Sequence, residues 1–92
     1  MMSSKTFDTN DSTSDNSVRV NFLISVGTRI RDLRKERNWS QERLAQEARI
    51  NDKYVYEIEL GHRSISIWVL VKIAEALNVC VTEILGSQRN HE

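Results

Sequence analysis

The side chains able to do covalent or metal chemistry in this chain are few and scattered. Cys80 is the one cysteine, and the two histidines, His62 and His91, lie far apart with no cysteine cluster near either. That spacing gives no zinc site. No Ser/His/Asp or Cys/His set has a separation that suits nucleophilic catalysis, so the chain does not read as an enzyme, and no metal or cofactor is expected. Cys80 stands between Val79 and Val81 and reads as a small buried hydrophobe rather than a reactive thiol. What remains is a concentration of charge between Asn51 and Gly61. It holds three carboxylates, Asp52, Glu57 and Glu59, and one cation, Lys53. A carboxylate at a helix start can stabilise that helix, and one on an exposed helix face can accept from a neighbouring cation or from a base edge.

The elements that must position these residues belong to one small domain. The 92 residues balance 13 basic against 13 acidic side chains, for a formal net charge of zero. Bulk charge therefore announces no polyanionic partner, and charge placement has to be read instead. A chain of this size buries only about 60% of its unfolded surface, so a partner subunit would add stability. A single cysteine excludes an intrachain disulfide and fits a reducing compartment. No apolar run approaches the ~20 residues of a membrane span, and the N-terminus lacks the basic-then-apolar order of a signal peptide. The expected location is the cytoplasm, with no membrane partner.

Residues 1–17 are polar, with Phe7 the one aromatic, and read as a disordered tail. From Val18 the pattern turns helical: Leu23, Val26, Ile30, Leu33 and the stem of Arg37 share a face, with Asn38 as a stop. Three later segments repeat one device, an apolar residue followed by a capping residue, with an apolar residue four positions after the cap. Trp39-Ser40 with Leu44, Ile50-Asn51 with Val55, and Ile65-Ser66 with Leu70 each fit an N-cap with a hydrophobic staple. They predict helices over 41–48, 52–60 and 67–77. The run from Ser64 to Val71 also alternates like a strand. Helical spacing of Ile67, Leu70, Ile73, Ala74 and Leu77 decides against that reading. A short helix over 81–85 would end at Gly86, and 87–92 would fray. The expectation is an all-α, compact five-helix domain over 18–86. Its second and third helices are close enough to form a helix-turn-helix corner.

The segments "IRDLRKERNWSQERLA", "YEIELGHR" and "LVKIAEALNV", in this order and spacing, resemble helix-turn-helix domains of the phage Cro and repressor type, the xenobiotic-response-element family. The resemblance covers about two-thirds of the chain. Within the family, "RSISI" after the third helix is similar to controllers that accompany restriction-modification genes. The resemblance implies that the third helix enters the DNA major groove and that a dimer meets two half-sites about 34 Å apart. Arg49 stands where the family often has Gly, at a cost if that position needs positive φ. Leu60 replaces a usual polar residue and Ile65 a common proline.

Residue by residue, the resemblance puts Gln41 against a phosphate beside the cap Ser40, the alternative being a solvated glutamine. Asn51, Asp52 and Lys53 open the third helix, where residues reach base edges. Asn51 is first a cap. Asp52 either stabilises the helix start or accepts from cytosine, and Lys53 would reach guanine or phosphate. Tyr56 lies off the inward line set by Val55 and Ile58 and is a candidate for a thymine methyl or a phosphate, whereas Tyr54 packs at the rim. Glu57 falls where the family often reads a base and would accept from cytosine, or it forms an i,i+4 pair with Lys53. Arg63, with His62 beside it, is a phosphate candidate. Glu59 matches the family position that pairs with an arginine of the first helix, here Arg34, and would be structural. Lys35 and Arg37 read as an ordinary solvated face. Trp68, Val79, Val81, Ile84 and Leu85 exceed what one small core needs and are candidates for a two-fold interface, though Trp68 could equally be core.

These features lead to a sequence-specific DNA-binding transcriptional regulator acting as a homodimer on a palindromic operator. Its partners would be double-stranded DNA, a second copy and, when bound upstream of a promoter, RNA polymerase. The competing reading is a protein–protein adaptor that keeps the fold without binding DNA. Net neutrality and the acidic third helix are its support.

Overall fold

A computed structural model describes residues 12–86 of the chain. The expectations for residues 1–11 and 87–92 lie outside the described residues. The element order is α1 (Ser12–Glu36), α2 (Gln41–Ala48), α3 (Asp52–Leu60), α4 (Ile67–Leu77) and α5 (Val81–Leu85). The fold is all-α, as the spacing of apolar residues predicts.

Each of the three expected caps is made. The Ser40 hydroxyl accepts from the Arg43 N–H, the Asn51 side chain from the Lys53 N–H, and the Ser66 hydroxyl from the Val69 N–H. Trp39, Ile50 and Ile65, the residues before those caps, are half-buried and pack on the core. The helices also end by one device. Asn38, Arg49, Gly61 and Asn78 all take the left-handed conformation, with φ of 59°, 60°, 79° and 61°. The N–H groups of Arg49, Gly61 and Asn78 return to carbonyls of the helix they close, which satisfies otherwise orphaned acceptors. Gly86 differs, since it closes α5 in the right-handed conformation and uses none of its glycine freedom.

Arg49 is the one β-carbon-bearing, non-Asn residue among the left-handed closures. Holding an L-residue there costs about 1–2 kcal/mol, and glycine returns about 0.5–1 kcal/mol of that as unfolded-state entropy. Arg49→Gly is therefore expected to stabilise the domain by about 0.5–1 kcal/mol, read as a higher urea midpoint at unchanged slope. A lower midpoint would show that the Arg49 side chain contributes more than its backbone strain costs.

The core gathers Val26, Ile30 and Leu33 of α1, Leu44, Ala45 and Ala48 of α2, and Val55 and Ile58 of α3. Leu70, Ile73, Ala74 and Leu77 of α4 and Ile84 of α5 complete it. Helix α1 packs on α3 and α5, α2 packs on α3 and α4, and α4 packs on α5. Two side chains of α1 tie the far end of the bundle. Arg29 Nε donates to the Glu83 carbonyl at 3.1 Å, and Arg37 Nη2 donates to the Leu77 carbonyl at 2.6 Å. Arg37 is half-buried, so it is no solvated cation: it caps the C-terminus of α4, where a positive charge meets the helix dipole.

Several other placements differ from expectation. Helix α1 begins at Ser12, so the boundary at residue 18 falls inside a helix. Asp15 sits in the first turn, and Arg19 Nη2 donates to Asn16 Oδ1 at 3.1 Å, so local polar bonds support turns that have no apolar face. Cys80 is exposed, because it is the N-cap of α5 and faces away from the core. Ile67 is 81% exposed, although it shares helical spacing with the core residues of α4. Ile84 is fully buried and cannot form a two-fold interface, whereas Trp68 is 64% exposed. Val79, Val81 and Leu85 are half-buried against the core. Among the described residues, no helix is long and apolar enough to cross a membrane, and no group of His, Cys, Asp or Glu is placed to hold a metal ion.

Candidate nucleic-acid interface

Helices α2 and α3 are joined by Arg49, Ile50 and the cap Asn51. The left-handed turn at Arg49 reverses the chain, and Ile50 N–H donates back to the Ala45 carbonyl at 2.9 Å. This corner sets the N-terminus of α2 beside the outer face of α3. Gln41, Glu42, Asp52, Lys53 and Tyr56 line one shallow groove there. Asp52, Lys53 and Tyr56 are all exposed, as is the cap Asn51, so the first turn of α3 is free to meet a partner.

The charges of α3 divide into three kinds. Glu59 is buried, with 3% of its side chain exposed, and Arg34 grips it through two bonds, Nε to Oε2 at 2.7 Å and Nη2 to Oε1 at 2.8 Å. Gln41 Nε2 donates to the same Oε1 at 3.0 Å, and Arg34 Nη1 is satisfied by the Trp39 carbonyl at 2.8 Å. Donation to the Glu59 carboxylate raises the Arg34 pKa above its ordinary value; burial offsets part of that rise, and the Glu59 charge adds to it. The guanidinium therefore stays charged throughout the working range, and its own titration gives no pH switch there. Among the described residues no buried side-chain polar atom lacks a partner. The Arg34–Glu59 pair expected from family resemblance thus has a third member. Gln41 is held inward by its amide rather than standing solvated.

Glu57 is the second kind. Its carboxylate accepts from Arg63 Nη1 at 3.1 Å, and not from Lys53. The Arg63 guanidinium also lies over the Tyr54 ring, 4.9 Å from its centroid, a cation–π contact. This arrangement depends on Gly61: its left-handed turn, closed by His62 N–H to the Glu57 carbonyl at 2.9 Å, folds Arg63 back onto α3. His62 is exposed beside it. Asp52 and Lys53 are the third kind, solvent-facing at the tip. So two of the three acids between Asn51 and Gly61 already carry a cation, and the exposed tip itself is charge-balanced.

Sequence reasoning missed one residue that positions this surface. A Cβ on Gly27 would meet the carbonyl oxygens of Ile58 and Glu59, the latter at 2.8 Å. Glycine there lets α1 lie directly on the C-terminal half of α3. Gly61 is equally close to α1, where a Cβ would come within 2.7 Å of Ile24 Cγ1. A mid-helix glycine with no turn signal around it could have been suspected of close backbone approach, but its partner could not have been named.

An αα corner with a capped, solvent-facing second helix is the geometry of a helix-turn-helix protein. The comparisons agree: the Helix-turn-helix family profile matches residues 30–84. The chain is 35% identical over 66 residues to the control protein C.BamHI of Bacillus amyloliquefaciens, covering 71% of this chain and 82% of that one. It is 42% identical over 57 residues to the transcriptional regulator RamB of Mycobacterium tuberculosis, covering 62% of this chain but 12% of RamB. Among solved structures, the restriction-modification controller protein C.AhdI from Aeromonas hydrophila superposes with a TM-score of 0.67 at 35% identity, covering 67% of this chain and 94% of that one. The chain belongs to the helix-turn-helix family, a class of DNA-binding transcriptional regulators.

Proposed function

We propose that the chain is a sequence-specific regulator that binds DNA as a homodimer on a two-fold-symmetric operator, after the manner of a restriction-modification controller. The observation that carries this is the exposed first turn of α3, Asn51, Asp52 and Lys53 with Tyr56, set beside the α2 N-terminus at a rigid corner. In this reading α3 enters the major groove. Lys53 meets guanine or phosphate, Asp52 accepts from cytosine, and Tyr56 meets a thymine methyl or a phosphate. Ser40, Gln41, His62 and Arg63 flank the groove on its phosphate side. Similarity to C.BamHI and C.AhdI supports the controller assignment.

The second copy would dock on the apolar surface of Trp68 with the half-buried Val79, Val81 and Leu85, and Ile67 adds to it. Ile84 takes no part. The protein would work in the cytoplasm by occluding a promoter or, bound upstream, by touching RNA polymerase. The adaptor reading draws on the internal neutralisation of Glu57 and Glu59, which leaves little net charge for a backbone.

Duplex binding across a salt series separates the two readings. A regulator that neutralises phosphates loses affinity steeply, with a log–log slope of about −0.9 per phosphate contact. Failure to retard any genomic fragment at low salt would favour the adaptor. Binding-site selection then assigns the readers: Lys53→Ala and Asp52→Ala should each relax one position by about 1–3 kcal/mol. If both variants select the wild-type sequence, neither residue reads a base.

A further inference from the structure

We propose that Glu57 and Arg63 form an exchangeable pair that sets discrimination between specific and non-specific DNA. This deepens the regulator reading and rests on it. The pair lies on the outer face of α3, in a groove lined by Asn51, Lys53, Tyr54, Glu57 and Arg63. It is made across six residues, through the Gly61 turn, with the Arg63 side chain 54% exposed and that of Glu57 26% exposed. The guanidinium also rests over the Tyr54 ring.

A cation whose charge is met by an adjacent carboxylate draws a phosphate weakly and releases few counterions on contact. On arbitrary duplex the pair stays closed, and Arg63 contributes little. An ionised carboxylate only accepts hydrogen bonds, so Glu57 exchanges its partner only where DNA offers a donor. In the major groove the donors are the cytosine N4 and adenine N6 amino groups, and only one placed opposite Glu57 can take its carboxylate. When Glu57 turns to it, Arg63 is released toward the neighbouring backbone, and its five donors suit a phosphate. The base contact and the phosphate contact are thus made together, and a sequence without the donor forfeits both. The pair is exposed enough to open, unlike Arg34–Glu59, whose carboxylate is buried and held by a second donor.

The test uses the full chain with two duplex probes of equal length, one selected by the wild-type protein from a random pool and one with that sequence shuffled. Neither side chain belongs to the core, and a melting curve confirms that Glu57→Gln and Arg63→Gln fold. Glu57→Gln should tighten binding to the shuffled duplex several-fold, steepen its salt slope by about one contact, and shrink the selected-to-shuffled affinity ratio about ten-fold. Arg63→Gln should leave the shuffled duplex within about two-fold while weakening the selected one several-fold, as loss of a single contact made only there requires. The proposal is overturned if Arg63→Gln weakens both duplexes by the same factor, or if Glu57→Gln leaves the ratio unchanged. A random pool from which the wild-type chain enriches no duplex at low salt overturns the regulator reading itself. Only the failures of the pair leave wild-type binding intact.

Discussion

Glu59→Ala is expected to lower the unfolding free energy by about 3–5 kcal/mol, because it leaves the Arg34 guanidinium buried without its counter-charge. For a domain of this size that is a fall in melting temperature of roughly 12 °C or more. The argument is local. Arg34 has one further acceptor, the Trp39 carbonyl, and Gln41 would lose its partner as well. The side chains are 10% and 3% exposed, so water cannot replace the lost carboxylate without opening the α1–α3 contact. Replacing both partners with apolar residues, Arg34→Met with Glu59→Leu, should recover a large part of the loss, since the penalty is for an unpaired charge rather than for a missing bond. Glu59 does not face solvent, so the folded fraction of Glu59→Ala at low temperature should select the same DNA as wild type. An unchanged melting curve would show that the pair has no structural role.

Gly27→Ala is expected to destabilise the domain by about 2 kcal/mol or more, although alanine favours a helix by about 1 kcal/mol over glycine. The new methyl would meet backbone carbonyls of Ile58 and Glu59, which cannot rotate away as a side chain would. Relief requires α1 to lift from α3, and that movement stretches Arg34 from Glu59. Gly27→Ala and Glu59→Ala should therefore be non-additive, the double variant losing less than the sum, because both weaken one contact. Urea unfolding of the four proteins at 25 °C measures this. A stabilised Gly27→Ala would show that the α1–α3 contact does not require glycine at this position.

What could be read from the sequence follows from how far each interaction reaches along the chain. Helices α2, α3 and α4 begin where Ser40, Asn51 and Ser66 place them, because capping depends on a few neighbouring residues. The Arg34–Glu59 pair spans 25 positions and was legible only through resemblance to a family. Interactions that depend on the angle between helices were not legible. Gly27 carries no local signal of the carbonyls above it. Arg63 meets Glu57, rather than leaving it to Lys53, because Gly61 turns the chain back. Ile67 and Ile84 exchange the roles expected of them: Ile67 is exposed, and Ile84 is buried on α5, which packs against α1 and α4. Arg37 reads as solvated until α4 is seen to end beside it.

The acidity of the third helix is resolved in the same way. Glu59 is neutralised by Arg34 and Glu57 by Arg63, so a formally acidic helix presents a balanced tip, Asp52 with Lys53, to its partner. Charge counted along the segment overstates the repulsion that a phosphate backbone would meet.

Binding-site selection by the full chain from a random duplex pool, repeated with Asp52→Ala and Lys53→Ala, asks whether this tip reads DNA sequence. A two-fold-symmetric consensus with half-site centres about 34 Å apart is expected. Each substitution should lose preference at one symmetric pair of positions. A pool that shows no enrichment at low salt, or variants that enrich the wild-type consensus unchanged, would contradict base reading by the tip.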